Sequence, residues 1–199
     1  MNARRVILSA ALLSLAVSVA VYPWLPTRMP VHFDLAGHAN RFGSRAEGAF
    51  LLPAIGFVTY AIARATPDGA KGLALAVVSV FLAALHVLVL GAALGDGTLG
   101  DGTWIALGAF FAALGLVLPR IRPNRWIGVR TPWAMRSPDV WARTQRVGGA
   151  TMFACGALVL LSASAHGARA AALRLVALVA SAFVPIVYSW WVGRGAERS

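Results

Sequence analysis

Residues 72–95 read GLALAVVSVFLAALHVLVLGAALG, twenty-four positions without an Asp, Glu, Lys or Arg. As a helix rising about 1.5 Å per residue, such a run is ~36 Å long, more than the ~30 Å hydrocarbon layer of a bilayer. Working outward, five further runs lack those four residue types: 6–27, 48–63, 102–119, 147–168 and 175–193. Their lengths are 22, 16, 18, 22 and 19 residues, and all but the second meet the roughly 17–25 residues that a span requires. The 16-residue run gains length because Arg64 can carry its charged tip to the interface while its stem stays in the apolar layer. The expected fold class is all-α, a polytopic membrane protein of about six transmembrane helices. The composition agrees: of 199 residues, 59% are hydrophobic and 13% charged, against about 45–50% and about 25% in soluble domains.

The charge of +11, from 18 basic and 7 acidic residues, sits mainly in short loops between apolar runs. Basic residues there orient a membrane protein, so direct nucleic acid binding is not expected. One alternation of loops and termini holds thirteen basic residues and the other five. Basic loops are retained inside, which puts both termini in the cytoplasm and loop one and the Asp96/Asp101 loop outside. Arg4-Arg5 followed by Val6 to Val21, with Ser18-Val19-Ala20 as a cleavage site, has the outline of a secretory signal. The run exceeds the usual apolar core of about 7–15 residues, so it is expected to stay as helix one. The single Cys155 allows neither an intrachain disulfide nor a four-cysteine metal site.

Turn residues divide the spans. Thr66-Pro67-Asp68-Gly69 predicts a tight hairpin between helices two and three, Gly95-Asp96-Gly97 and Gly100-Asp101-Gly102 break the chain before helix four, and Leu118-Pro119 closes helix four. In loop one, Pro30-Val31-His32-Phe33 predicts an extended strand leading into a turn at Gly37. His32, Asp34 and His38 could be read as metal ligands, yet no further strong ligand lies nearby. The expectation is an ordered loop whose histidines bond to backbone, with no metal and no cofactor. Loop four, Pro119 to Arg146, mixes seven arginines with Trp126, Trp133 and Trp141, the composition of an interfacial anchor. Within it, Ser137-Pro138-Asp139 predicts a helix start running unbroken into the fifth span, with Asp139 and Arg143 paired one turn apart.

His86 is the one titratable side chain deep in a run, where it either packs by hydrogen bonding to another helix or serves a relay or ligand role. No Asp or Glu lies inside any run and no Gly-x-Ser-x-Gly is present, so the chain is not expected to be an enzyme. Gly91/Gly95 and Gly108/Ala112 give small-residue spacings on helices three and four, read as packing within the chain in preference to a dimer face.

Asn124-Arg125-Trp126-Ile127-Gly128-Val129-Arg130-Thr131-Pro132-Trp133 resembles the N-x-x-I-G-[IV]-R-T-P-W signature of the SdpI family of bacterial membrane proteins, followed at the family's spacing by Trp141 and Arg146. Loop one is similar to a small DUF1648-like segment that often precedes that signature, here Pro30, His32, Phe33, Gly37, Asn40 and Phe42. Asn40 stands where that pattern has Asp, Phe42 where it has Trp, and Gln145 where many relatives carry His. The resemblance implies three regions: 1–65 with the extracellular loop, 66–118 with helices three and four, and 119–199 with the cytoplasmic Arg/Trp loop and helices five and six. It also implies a multi-pass protein of the bacterial inner membrane that protects against a secreted hydrophobic peptide toxin and holds a small transcriptional repressor at the membrane. The alternative expectation is a small transporter or lipid-handling protein using His86.

Overall fold

The computed structural model describes residues 2–34, 37–65 and 69–196. Among the described residues, six helices are long and apolar enough to cross a membrane. Helix α1 spans Ala3–Val21, α2 Arg45–Ala65, α3 Ala70–Leu94, α4 Gly102–Val117, α6 Pro138–Leu161 and α7 Ala168–Ala196, with the short helix α5 at Pro132–Arg136. The protein is a polytopic membrane protein. Its outward faces carry the large apolar residues that such a protein shows to lipid: Leu13, Val176, Phe183 and Trp191 are each more than 60% exposed.

Each start and stop has a local cause. Asn2 accepts from the Arg4 amide to cap α1, and Ser137 accepts from the Val140 amide to start α6, with Pro138 in the first turn. That helix runs unbroken to Leu161, and its Asp139 and Arg143 pair at 2.9 Å. A 3₁₀ turn at Leu118–Arg120 follows α4. Gly97 and Gly100 take positive φ between α3 and α4. The expected hairpin turn at 66–68 lies outside the described residues.

One span differs from its charge-free run. The sequence places Arg174 beside a loop, whereas α7 begins at Ala168 and buries Arg174. Its guanidinium donates to the carbonyls of Ala163 at 2.9 Å, Ala165 at 2.5 Å and Ser162, so it closes the chain beyond the C-terminus of α6. Cations belong at that end of a helix, where the last carbonyls lack helical donors.

The chain forms two compact units, one over 1–68 and 75–106, the other over 69–74 and 107–199. In the first, α1 lies along α2. Between them rises a hairpin of β1 (Arg28–Phe33) and β2 (Ala39–Ser44), paired antiparallel with Pro30 opposite Phe42 and irregular register beside His32. The expected strand is therefore present, and Gly37 turns with φ +84°. The Leu99 amide donates to the Gly37 carbonyl at 3.0 Å and His38 bridges to Thr98, so loop one and the loop after α3 meet at one end of this unit.

In the second unit α6 packs along α7, and α4 meets α6 backbone to backbone. A Cβ on Gly108 would lie 2.6 Å from the Leu160 nitrogen, and one on Gly156 would lie 2.4 Å from the Ala112 nitrogen. The Gly108/Ala112 spacing therefore packs within the chain, as small residues do between membrane helices. Gly91 has nothing within 4 Å of its would-be Cβ, so the spacing on α3 does not.

Candidate functional site

The first unit holds a polar cluster in its apolar interior. Pro53 lies inside α2, and a proline has no N–H to give the carbonyl four residues earlier, so Ala49 lacks its helical donor. The Ser18 hydroxyl, from α1, donates to that carbonyl at 2.5 Å. Its oxygen also lies 2.7 Å from His86 Nε2 on α3. The hydroxyl has one proton, directed at a carbonyl that can only accept, so Nε2–H of His86 donates to Ser18 and Nδ1 is left as an acceptor. Nδ1 is buried with no hydrogen-bond partner among the described residues. His86 thus links α3, through Ser18 of α1, to the Ala49 carbonyl of α2. Pro53 and Ala49 escaped the sequence reading, which met Ser18 only in a cleavage-site pattern, although a proline inside an apolar run marks a carbonyl in need of a donor.

The outer hairpin presents the loop-one motif. His32 Nδ1 lies 2.6 Å from Asn40 Oδ1, so the amide that replaces the usual carboxylate keeps an acceptor for the ring while removing the charge. His38 lies near Asp34, its ring nitrogen 3.8 Å from one carboxylate oxygen and its amide donating to the other at 2.9 Å. These histidines meet side chains where backbone partners were expected. Pro30 is buried and Phe33 packs on Val89 and Leu99, while Phe42 is exposed. Among the described residues no group of three His, Cys, Asp or Glu could hold a metal. Arg41 pairs with Glu47 at 3.0 Å. In the loop after α3, the Thr98 hydroxyl and amide both donate to Asp96, which holds its carboxyl below the ordinary range.

In the second unit the Arg/Trp signature spends its polar atoms on folding itself. Asn124 Oδ1 accepts from the amides of Trp126 and Ile127 at 2.8 and 2.9 Å, while its Nδ2 donates to the carbonyls of Arg122 and Ile127. Gly128 takes φ +118°, and a Cβ there would lie 3.0 Å from both Gln145 and the Trp141 ring. The Val129 amide donates to Gln145 Oε1 at 2.9 Å and Gln145 Nε2 donates to the Val129 carbonyl at 3.0 Å, so one side chain clasps both backbone groups of a residue. Trp141, 1% exposed, donates from Nε1 to the Ile121 carbonyl at 2.7 Å.

Thr131 caps α5 through the Ala134 amide, meets Ser189, and leaves Pro132 at the first helical position. Trp133 packs against Gly193. Arg130 and Arg146 are exposed, and Arg130 Nη1 donates to the Arg125 carbonyl at 2.5 Å. The partner found for Arg130 within the chain is thus a carbonyl, not a carboxylate of another loop. Trp126 is 81% exposed. The sequence marked Gln145 only as a departure from its relatives. Its role as a clasp depends on the loop folding back onto the helix that the Ser-Pro-Asp start predicts, a long-range contact that residue types alone do not reveal.

This is an arginine-rich loop whose fold is fixed by Asn124, Thr131, Trp141 and the residue at 145. Residues 120–189 match the SdpI/YfhL protein family. Residues 10–57 match a domain of unknown function, DUF1648. The SdpI match begins in the 3₁₀ turn and covers the clasped loop, α5, α6 and most of α7. The DUF1648 match covers most of α1, the hairpin and the first half of α2. The chain is 33% identical over 60 residues to the uncharacterized membrane protein YbgB of Bacillus subtilis (strain 168). That match spans 30% of this chain and 65% of the relative. No solved structure matches the chain.

Proposed function

We propose that this SdpI-like protein confers immunity to a secreted hydrophobic peptide at the cell membrane, with the hairpin of the DUF1648 region outside and the SdpI-like loop inside, where it holds a small repressor protein. The observation that carries this reading is the division of labour in the SdpI-like loop. Asn124, Thr131, Trp141 and Gln145 are consumed in holding the loop, whereas Trp126, Arg125 and Arg130 are presented to the surroundings. A rigid backbone displaying Arg and Trp suits recognition, because those side chains dominate protein interfaces and a pre-ordered loop loses little entropy on binding. No catalytic step belongs to this proposal.

The test compares survival of bacteria expressing the chain, its Arg130→Lys and its Arg130→Ala variants against a secreted antimicrobial peptide, at matched membrane abundance. The reading expects protection by the parent chain and loss in both variants, since Lys cannot reproduce the planar fork of Arg. Absence of protection by the parent chain against every peptide tried contradicts immunity. Full protection by the Lys variant reduces the loop to membrane anchoring.

A second reading, a small transporter or lipid-handling protein, draws on the buried acceptor at His86 Nδ1. Intramembrane ionisable groups often mark a substrate or proton path. Under that reading His86→Asn abolishes transport while leaving peptide protection intact.

A further inference from the structure

Beneath the SdpI-like loop, within the second unit, lies a cavity of about 420 Å³. Its walls come from the end of α4 (Phe111, Leu114), from α6 (Met152), from α7 (Pro185, Ile186) and from the loop itself, where residues 127–131 form one side. That size is in the range of small-molecule sites, about 300–1,000 Å³. The hydroxyls on its wall are already committed: Ser181 donates to the Leu178 carbonyl at 2.7 Å, and Thr131 meets Ser189 and the Ala134 amide. Water inside would find few partners, and apolar cavities of this kind stay dry and accept apolar guests. In a bilayer the apolar guest at hand is an acyl chain.

The exception on the wall is Arg130, whose exposed guanidinium carries five donors and uses one in the bond to Arg125. Arg120, Arg122 and Arg125 share its loop, no acid occurs from Pro119 to Arg136, and the next one, Asp139, is engaged by Arg143. A cation on the wall of a hydrocarbon cavity, in a loop that carries three more and no acid, calls for an anion attached to a chain. Guanidinium binds phosphate oxygens in paired, directional bonds.

We propose that the cavity is a binding site for an anionic phospholipid of the bordering leaflet, one acyl chain lying against Phe111, Met152 and Ile186 and the phosphate held by Arg130. The signature then has a second role: its clasped backbone is the wall that shapes the site. This proposal stands on the cavity, Arg130 on its wall and the acid-free loop, and does not depend on immunity.

The test uses the full chain in nanodiscs of phosphatidylcholine containing one tenth phosphatidylglycerol with the same acyl chains. After transfer to detergent, the retained lipid is quantified by mass spectrometry, with helix content and a single gel-filtration peak confirming the fold of each variant. The parent chain should retain phosphatidylglycerol in several-fold excess over its share of the bilayer. Because one basic residue near an anionic surface is worth about a fivefold change in occupancy, Arg130→Ala should lose most of that excess. Arg122→Ala, changed outside the cavity wall, should keep it, and Ala182→Phe, filling the cavity, should reduce retention of both lipids. Equal retention of the two lipids by the parent chain overturns the site, as does equal loss in Arg122→Ala and Arg130→Ala. Inorganic phosphate displacing the bound lipid completely would leave the chain pocket without a role, and a copurifying peptide in place of lipid would also overturn the proposal.

Discussion

At the scale of single residues, the signature separates into groups that build the loop and groups that face outward. Gln145 is fully buried and satisfies both backbone groups of Val129. Leaving a buried donor or acceptor unpaired costs about 1–3 kcal/mol. Gln145→Ala should therefore destabilise the second unit by about 2 kcal/mol, seen as faster amide exchange at Val129 and a lower unfolding temperature in detergent. Arg130→Ala, at an exposed position, should stay within about 0.5 kcal/mol of the parent.

Asp96 gives a pH-dependent counterpart in the loop after α3. Its carboxylate accepts from the Thr98 hydroxyl and amide, and its folded value lies below the ordinary one. A depressed carboxylate contributes order that is complete above the unfolded value of about 3.9 and is lost as pH falls through the folded value. Protection of the Thr98 amide should therefore fall on acidification below that range, and in Asp96→Asn, which keeps an acceptor without the charge, it should no longer follow pH.

At the scale of elements, the spans, the first strand and the turn after it were legible because their signals are local, whereas the second strand of the hairpin was not read from the sequence. A charge-free run, a Ser-Pro-Asp start and a Gly37 turn each act over a few residues, and helix, cap and strand appear where those signals stand. What the sequence hid depends on which helix lies beside which. The Ser18 hydroxyl finds the Ala49 carbonyl only because α1 and α2 are neighbours, and Arg174 reads as a loop residue until α6 ends beside it.

The link through Ser18 predicts a specific coupling. Ser18→Ala should cost about 0.6–1.7 kcal/mol, the range of interhelical hydrogen bonds in membranes. Pro53→Ala gives the helix a donor for Ala49, so in that background the cost of Ser18→Ala should shrink. A double-mutant cycle of unfolding free energies measures the difference; equal costs in both backgrounds would contradict the link. The glycine contacts predict a contrast of the same kind. Gly156→Ala, with backbone 2.4 Å from its new carbon, should destabilise by about 1–3 kcal/mol, whereas Gly91→Ala, in open space, should be neutral or slightly stabilising in the same unfolding measurement.

At the scale of the whole molecule, six helices among the described residues are long and apolar enough to cross a membrane, and each of the two units displays one motif. Loop one and the loop after α3 meet at one end of the first unit, as an even alternation of spans requires. The proposed direction rests on charge, since the alternation of loops and termini that includes the SdpI-like loop carries thirteen basic residues and the other alternation five. The central claim is that the hairpin faces outside and the arginine loop inside, and the single native cysteine makes it directly testable. In a Cys155→Ser background, cysteines are introduced one at a time at Ala39 in the hairpin and at Arg125 in the loop, and intact cells are treated with a membrane-impermeant maleimide. The account predicts labelling at position 39 in intact cells and at position 125 only after permeabilisation; labelling at position 125 in intact cells, with position 39 protected until the cells are opened, contradicts it.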